Sequence, residues 1–187
     1  EEAVKSRDNI FGVLNIDGNT KIIDLGCGVG QWGVNLNNYT GVDFRVPKEE
    51  LLIKNFIEHD LRTPLPLLTA DVTICVEVAE HLEEEYADIL VENICNCCAD
   101  GGMIIFSAAI PYQGGNNHVN EQWQTWWAEK FYAKGYGGYQ ISAIQANKDI
   151  NLWYRQNVVI YKRGIKREVR DFVLPDYYYE KMKHYNK

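Results

Sequence analysis

One aspartate and three glycines stand at alternate positions in a short segment of this 187-residue chain, Lys21-Ile-Ile-Asp-Leu-Gly-Cys-Gly-Val-Gly30. The three glycines let the backbone turn sharply and approach a bound ligand closely. Asp24 precedes the turn, so its carboxylate can accept hydrogen bonds from an ammonium group and repels an anion. The segment therefore favours a cationic amino-acid group over the pyrophosphate of a dinucleotide, whose binding pattern needs no acid at this position. A nicotinamide-dependent oxidoreductase is disfavoured for the same reason.

Two further acids stand where later strands are predicted to end. The stretch from Thr40 to Phe44 predicts a strand that closes on Asp43, and such an acid can hold both hydroxyls of a ribose. The stretch from Asn55 to Asp60 predicts another strand with an acid at its tip. Acids are also common in ordinary turns after strands, and for Asp60 that alternative stays open.

A second set of chemically capable side chains follows the fourth and fifth predicted strands. One segment reads Glu77-Val-Ala-Glu80-His81-Leu82, and the other is a loop rich in glycine and asparagine that contains His118. Since histidine titrates near neutral pH, His118 could deprotonate a hydroxyl or an amine. The alternative is a histidine that only packs against the tryptophan-rich helix after the loop. The loop itself is a candidate lid over an acceptor site.

Strand and helix patterns alternate from Lys21 to Ile110, which predicts a parallel sheet covered by helices on both faces. Further strands are predicted over residues 71–78, 101–110 and 157–162, and helices over 31–38, 48–54, 83–98 and 121–134. The expected fold class is α/β, with ligands bound at the carboxyl ends of the strands.

In their order and spacing, these motifs resemble the class I, Rossmann-like S-adenosylmethionine (SAM) methyltransferases of the small-molecule type, over roughly residues 20–162. The resemblance implies a doubly wound, mostly parallel seven-stranded sheet with an antiparallel strand near the C-terminus. It also implies SAM as cofactor, S-adenosylhomocysteine as product, and contacts of Asp60 and Leu61 with the adenine. The implied cofactor-binding residues are Asp24, Gly26, Cys27, Gly28, Gly30, Asp43, Phe44, Asp60, Leu61, Val76 and Glu77.

The activity implied is transfer of a methyl group to an oxygen or nitrogen of a small-molecule, saccharide-linked or lipid-linked acceptor. His118 and His81 are the candidate catalytic residues. The alternative is a SAM-binding module or subunit without catalysis. The loop from Gln113 to Asn120 discriminates between the two, because no acceptor could enter if it closed over the sulfonium.

The pattern Glu-x-x-Glu-His followed by a distant histidine also resembles the O-methyltransferases of quinone biosynthesis and the small-RNA 3′-end 2′-O-methyltransferases. In both, these positions are associated with a divalent metal, and here they correspond to Glu77, Glu80, His81 and His118. Many class I methyltransferases carry Glu-His-Leu after the fourth strand without any metal. We expect no metal here, with Glu77 and His81 forming part of the pocket wall.

The composition of the chain argues against some classes of binding partner. The net charge of −7 and the pI near 5.1 argue against binding of nucleic acid through phosphate contacts. No apolar run approaches the roughly 20 residues that span a bilayer. Five cysteines, an odd number without a disulfide framework, fit a reducing, cytoplasmic setting. The length suits a single domain over residues 1–187.

Overall fold

Seven strands form one sheet in the computed structural model, which describes residues 1–185. They are β1 (Ile22–Leu25), β2 (Tyr39–Asp43), β3 (Phe56–Glu58), β4 (Ala70–Val76), β5 (Cys98–Ser107), β6 (Tyr136–Tyr139) and β7 (Val159–Arg163). Asn186 and Lys187, which the expected single domain includes, lie outside the described residues.

The strand order is β3-β2-β1-β4-β5-β7-β6. Strands β1 to β5 pair in parallel, whereas β7 lies antiparallel between β5 and β6. The order reverses between β1 and β4, so a crevice opens there at the carboxyl ends of the strands. The predicted α/β class, the mostly parallel sheet and the antiparallel strand near the C-terminus are confirmed.

Helices cover both faces of this sheet. They are α1 (Glu2–Leu14), α2 (Ala87–Cys97), α3 (Gln124–Ala133), α4 (Ser142–Ala146), α5 (Leu152–Asn157) and α6 (Pro175–Tyr185). One core lies under α2 and α3, where the rings of Phe131 and Tyr161 stack with centroids 4.1 Å apart. The other core packs Ile10 and Phe11 of α1 against Trp32 and Ile144. Neighbouring residues of β1 point to opposite cores, as the pleat of a strand requires. Within residues 1–185 we find no helix with both the length and the apolar character that crossing a bilayer requires.

Strand β6 was not predicted from the sequence, because its two central residues are glycines. Gly137 is nevertheless a strand residue held close to another backbone. A Cβ atom there would lie 2.2 Å from the carbonyl oxygen of Ile165, a separation that no side chain tolerates. The glycine thus marks a close approach between two chain segments rather than a loop.

Two of the predicted helices are wrong, since each is reduced to one turn of 3₁₀ helix. Over 31–38 only Gln31–Gly33 is helical, because Val34 is extended and Asn35 adopts a left-handed conformation with φ of 64°. Over 48–54 only Lys48–Glu50 is helical, and the chain then extends so that the Leu52 N–H reaches the Val29 carbonyl. Both segments lie beside the glycine turn as mostly non-helical chain.

The other predicted helices begin or end differently. Helix α2 starts at Ala87, after a 3₁₀ turn at Glu84–Tyr86, and Cys98 already belongs to β5. Helix α3 starts at Gln124, so the three residues before it belong to the preceding loop. This second difference matters for the site, because it leaves Glu121 free to bond within that loop.

Candidate active site

The glycine turn after β1 is built from left-handed backbone. Gly26, Gly28 and Gly30 have φ of 82°, 54° and 85°, values that L side chains rarely adopt. A Cβ atom on Gly26 would lie 2.4 Å from the side chain of Val78, so the turn is also closely covered. The sequence prediction of a sharp turn at these positions agrees with this geometry.

A cavity of about 370 Å³ lies over this turn, at the carboxyl ends of β1, β2 and β4. It contains eight of the residues that the sequence singled out as cofactor-binding or catalytic. The lining residues are Gly26, Gly28, Asp43, Phe44, His59, Asp60, Leu61, Arg62, Glu77, Val78, His81, Leu82 and Glu83. The cavity is rich in carboxylates, as a site for a cationic ligand requires.

Asp43 joins the glycine turn to the end of β2. One carboxylate oxygen accepts the Gly28 N–H at 2.6 Å, and the other accepts the Phe44 N–H at 2.6 Å. Because its carboxylate faces the cavity and the turn at once, Asp43 both shapes the cavity and presents charge to it.

Asp60 and Leu61 also line the cavity, after β3. The Asp60 carboxylate is paired with Arg62, whose Nη2 and Nε donate to it at 2.7 and 3.0 Å. This bidentate pairing lowers the pKa of Asp60 below its usual value and keeps it ionised. Arg62 was not predicted from the sequence, although its spacing of two residues from Asp60 is typical of a turn ion pair.

Four of the predicted cofactor residues are not among those that line the cavity: Asp24, Cys27, Gly30 and Val76. Asp24 is buried beneath the turn and accepts a short hydrogen bond from the Tyr39 hydroxyl. Gly30 and Cys27 close the turn through the Gly30 N–H and the Cys27 carbonyl, 2.9 Å apart. Val76 ends β4 in register with Ser107. Asp24 therefore lies beneath the turn, whereas Cys27 and Gly30 form part of it.

Burial raises the pKa of Asp24 from 3.8 to about 7, opposed by the hydrogen bond from Tyr39 and reinforced by the charge of Asp43. The Asp24 carboxyl group is therefore only partly ionised near neutral pH. The tyrosine that controls it lies on the neighbouring strand, fifteen residues away in sequence, so the sequence pattern gave no sign of this burial.

Glu77 has a strained backbone, with φ of 52°, at the point where β4 ends. Its N–H donates to the carbonyl and the hydroxyl of Ser107, both at 3.1 Å. The Gln113 and Asn157 amides donate to its carboxylate at 3.2 and 3.1 Å. Two buried amides thus fix this carboxylate at the cavity wall, and neither was predicted from the sequence.

Glu80, His81 and His118 come together beyond Glu77. Each offers a ligand atom within 4.8 Å of the others, and the two imidazole centroids are 4.9 Å apart in an edge-to-face arrangement. Both Glu80 carboxylate oxygens are buried, and no side chain among the described residues donates a hydrogen bond to them. Burial and the nearby charge of Glu77 raise the pKa of Glu80 well above its usual value. A buried carboxylate in this position requires either a proton or a cation.

The two histidines present the same ring nitrogen to the loop. His118 Nδ1 lies 2.9 Å from Glu121 Oε1, and His81 Nδ1 lies 3.4 Å from the Asn117 carbonyl. A carbonyl oxygen and an ionised carboxylate only accept, so both contacts favour the tautomer that carries a proton on Nδ1. In the neutral form of that tautomer Nε2 keeps its lone pair, which suits it to act as a base or as a metal ligand.

The loop from Gln113 to Asn120 is fastened to the end of β4 without covering the cavity. The Val119 and Asn120 N–H groups donate to the Glu80 carbonyl at 2.8 and 3.1 Å. None of the loop's described residues lines the cavity, so the loop leaves that space open, and His118 adjoins it only through its ring contact with His81.

We expect the protein to become less stable, relative to an Asp24→Asn variant, as pH rises. The raised folded-state pKa means that Asp24 contributes stability below pH 4, and this contribution is lost as pH rises towards 7. Between pH 5 and pH 8 the loss is roughly 3 kcal/mol, which unfolding in urea at several pH values would measure. Asp100→Asn, at a side chain that is 99% exposed, is the control. Parallel stability curves for wild type and Asp24→Asn would show that Asp24 is ionised throughout.

Comparison with known proteins identifies the family of this chain. A family model described as a methyltransferase domain matches residues 5–146. No match to the chain is found among curated protein sequences.

Many solved structures share the fold. A TehB-like SAM-dependent methyltransferase from Corynebacterium glutamicum is 13% identical with a TM-score of 0.60, over 86% of this chain and 88% of that one. Magnesium protoporphyrin IX methyltransferase from Synechocystis PCC 6803, with bound S-adenosylhomocysteine, is 16% identical with a TM-score of 0.63, over 87% and 84%. Human N-acetylserotonin methyltransferase in complex with SAM is 17% identical with a TM-score of 0.56, over 88% of this chain but 57% of its own. With the family match over most of its length, the chain belongs to the methyltransferase-domain family and is a SAM-dependent methyltransferase of class I fold.

Proposed function

We propose that this enzyme transfers the methyl group of SAM to an oxygen or nitrogen of a small-molecule acceptor, free or linked to a saccharide or lipid, with His118 as the base. The observation that carries the proposal is the continuity of the site. The cavity over the glycine turn extends to His81, and the His81 ring contacts that of His118. The space proposed for the cofactor therefore adjoins the pair of imidazole rings.

The cofactor occupies this cavity in the proposed complex. Asp43 binds the ribose hydroxyls, because its carboxylate stands at the tip of β2 facing the cavity. Phe44, Asp60 and Leu61 surround the adenine. The methionine part lies over the glycine turn beside Glu77, whose carboxylate faces the positive charge of that moiety.

Asp24 has a different role from the ammonium contact expected from the sequence. Its burial and its hydrogen bond with Tyr39 support the idea that it stabilises the turn from below. Cys27, Gly30 and Val76 act with it as supports rather than as direct cofactor contacts.

The reaction needs one bond to form and one to break at the methyl carbon. The lone pair of the acceptor oxygen or nitrogen attacks that carbon, and the carbon–sulfur bond breaks with its electrons left on sulfur as the thioether of S-adenosylhomocysteine. The acceptor's proton passes to His118 Nε2. Alignment of donor and acceptor supplies much of the rate, and the base adds to it.

A small acceptor fits the charge of the protein and the names of its structural neighbours. A net charge of −7 disfavours a nucleic-acid substrate held by its phosphates. The human neighbour is named for N-acetylserotonin and the cyanobacterial one for magnesium protoporphyrin IX, both small molecules. The open loop at residues 113–120 argues against a SAM-binding module without catalysis, because an acceptor can still reach the cavity.

A second candidate is a metal-assisted form of the same transfer, favoured by the unpaired, buried carboxylate of Glu80. Glu80, His81 and His118 would hold a divalent cation, since a carboxylate oxygen and two imidazole nitrogens within 4.8 Å of one another form a suitable donor set. A bound cation would lower the pKa of an acceptor hydroxyl and orient it. Glu77, the fourth residue of the resembled pattern, is instead held by the Gln113 and Asn157 amides.

Asp43→Ala should weaken SAM binding. Charge-assisted hydrogen bonds are each worth roughly 1.5–3 kcal/mol, so we expect a loss of about one to two decades in affinity, measured by calorimetry. Asp100→Ala, which removes an exposed carboxylate, should bind SAM as the wild type does. An unchanged dissociation constant in a folded Asp43→Ala protein would show that Asp43 is only a turn residue.

His118→Ala should reduce turnover much more than SAM affinity, because His118 lies on the acceptor side of the cavity. We expect methyl transfer to fall by about 10²–10⁴-fold, with SAM affinity changed by only a few-fold. The measurement is transfer of labelled methyl from SAM into a fractionated metabolite extract, which also identifies the acceptor. Equal turnover in the variant from pH 6 to pH 9 would show that alignment alone drives the reaction.

Titration with Mn²⁺ or Mg²⁺ distinguishes metal-assisted methyl transfer from the metal-free mechanism. If Glu80 is a ligand, calorimetry should show binding to the wild type that weakens by more than about tenfold in Glu80→Gln, and a chelator should abolish turnover. Glu84→Gln alters an exposed acid four residues away and serves as the control. Full turnover in the presence of chelator, without any heat of metal binding, would leave the base mechanism in place.

A further inference from the structure

The Glu121 carboxylate contacts the His118 ring on the side of Nδ1. Its Oε1 atom lies 2.9 Å from His118 Nδ1 and accepts the Gly114 N–H at 2.6 Å. Both side chains are largely buried, with exposed fractions of 12% for His118 and 19% for Glu121. The carboxylate therefore ties the imidazole to the backbone at the start of the same loop.

We propose that Glu121 is a positioning residue, which holds the His118 ring in the tautomer with its proton on Nδ1 and so leaves Nε2 as the basic atom. The proposal deepens, and rests on, the proposed role of His118 as the base. A carboxylate bound to the far side of an imidazole fixes the tautomer, orients the ring, and stabilises the imidazolium that forms when Nε2 takes a proton.

The backbone around Glu121 is fixed, so its carboxylate has a defined direction. On one side, the Val119 and Asn120 N–H groups donate to the Glu80 carbonyl, and on the other the Gln122 N–H donates to the Ala109 carbonyl at 3.1 Å. The loop is thereby attached to the segments that follow β4 and β5. Glu121 lies between these two attachments, three residues beyond His118.

Because Gly115 has no side chain, the His118 ring can occupy the space beside it. A Cβ atom at this position would lie 2.3 Å from His118 Nε2 and 2.6 Å from Cε1. Any side chain at residue 115 would force the ring to move and disturb its bond with Glu121. Two independent features, an acceptor at Nδ1 and the absence of a side chain on the residue packed against Nε2, thus define one ring position.

The tautomer can be measured directly by ¹H–¹⁵N correlation spectra of protein labelled with ¹⁵N-histidine. His118 is assigned by the signal that His118→Ala removes. In the wild type, we expect Nδ1 to be protonated and Nε2 to be unprotonated. In Glu121→Ala the proton should shift towards Nε2, whereas Glu121→Gln, which retains an oxygen acceptor, should preserve the Nδ1–H form. Retention of the Nδ1–H form in Glu121→Ala would overturn the proposal.

Steady-state kinetics provide the second measurement. Glu121→Ala should lower kcat by about tenfold to a hundredfold with SAM affinity and acceptor KM changed by only a few-fold, and Glu121→Gln should recover part of the loss. Glu84→Ala is the matched control, because the Glu84 carboxylate accepts from Gln122 in the same loop at 3.4 Å without touching a histidine. Unchanged kcat in Glu121→Ala, in a protein whose His118→Ala variant is inactive, would overturn the proposal.

Gly115→Ala displaces the ring without altering the chemistry of either partner. It should lower kcat, and Gly18→Ala, at a glycine with no atom within 4 Å of the added Cβ, should not. If His118→Ala itself keeps full turnover, the proposed base is wrong, while the spectra of Glu121→Ala still decide whether Glu121 sets the tautomer. Failure of His118 as the base and failure of Glu121 as the positioning residue can therefore be told apart.

Discussion

The hydrogen bond between the Asp43 carboxylate and the Gly28 N–H is the interaction on which the cofactor side depends. It connects the turn after β1 to the tip of β2, and the second oxygen of the same carboxylate holds the Phe44 N–H. Gly28 can present its N–H in this direction because its φ of 54° is open to glycine. A single carboxylate thus fixes the floor and one wall of the cavity, and a neutral side chain there would loosen both.

Strand positions and the cofactor cavity were largely predictable, because both follow from local sequence. An acid at a strand tip reaches the carboxyl edge of a parallel sheet wherever that strand lies, so Asp43 and Asp60 line the cavity as their positions implied. Strand β6 was not predictable, since Gly137 is required by the approach of the Ile165 carbonyl from another part of the chain. The burial of Asp24 likewise depends on Tyr39, which only the pairing of β1 with β2 brings near.

On the acceptor side of the site, the sequence predicted which residue types are present but not which partners they contact. Glu80, His81 and His118 could be named from the sequence, and the Glu80 carbonyl brings His118 close by binding the loop that carries it. Glu77 belongs to the same sequence pattern, yet its carboxylate is held by amides from Gln113 and Asn157. Those partners lie 36 and 80 residues away, so no spacing rule could have separated Glu77 from the other three.

The movement of charge during the proposed reaction explains why acids surround both halves of the site. Before transfer the positive charge is on the sulfonium, which in the proposed complex lies in a cavity lined by the Glu77 carboxylate. After transfer the sulfur is neutral and the acceptor's proton is on His118, beside the Glu121 carboxylate. One positive charge is therefore exchanged between two groups, each with its own carboxylate nearby.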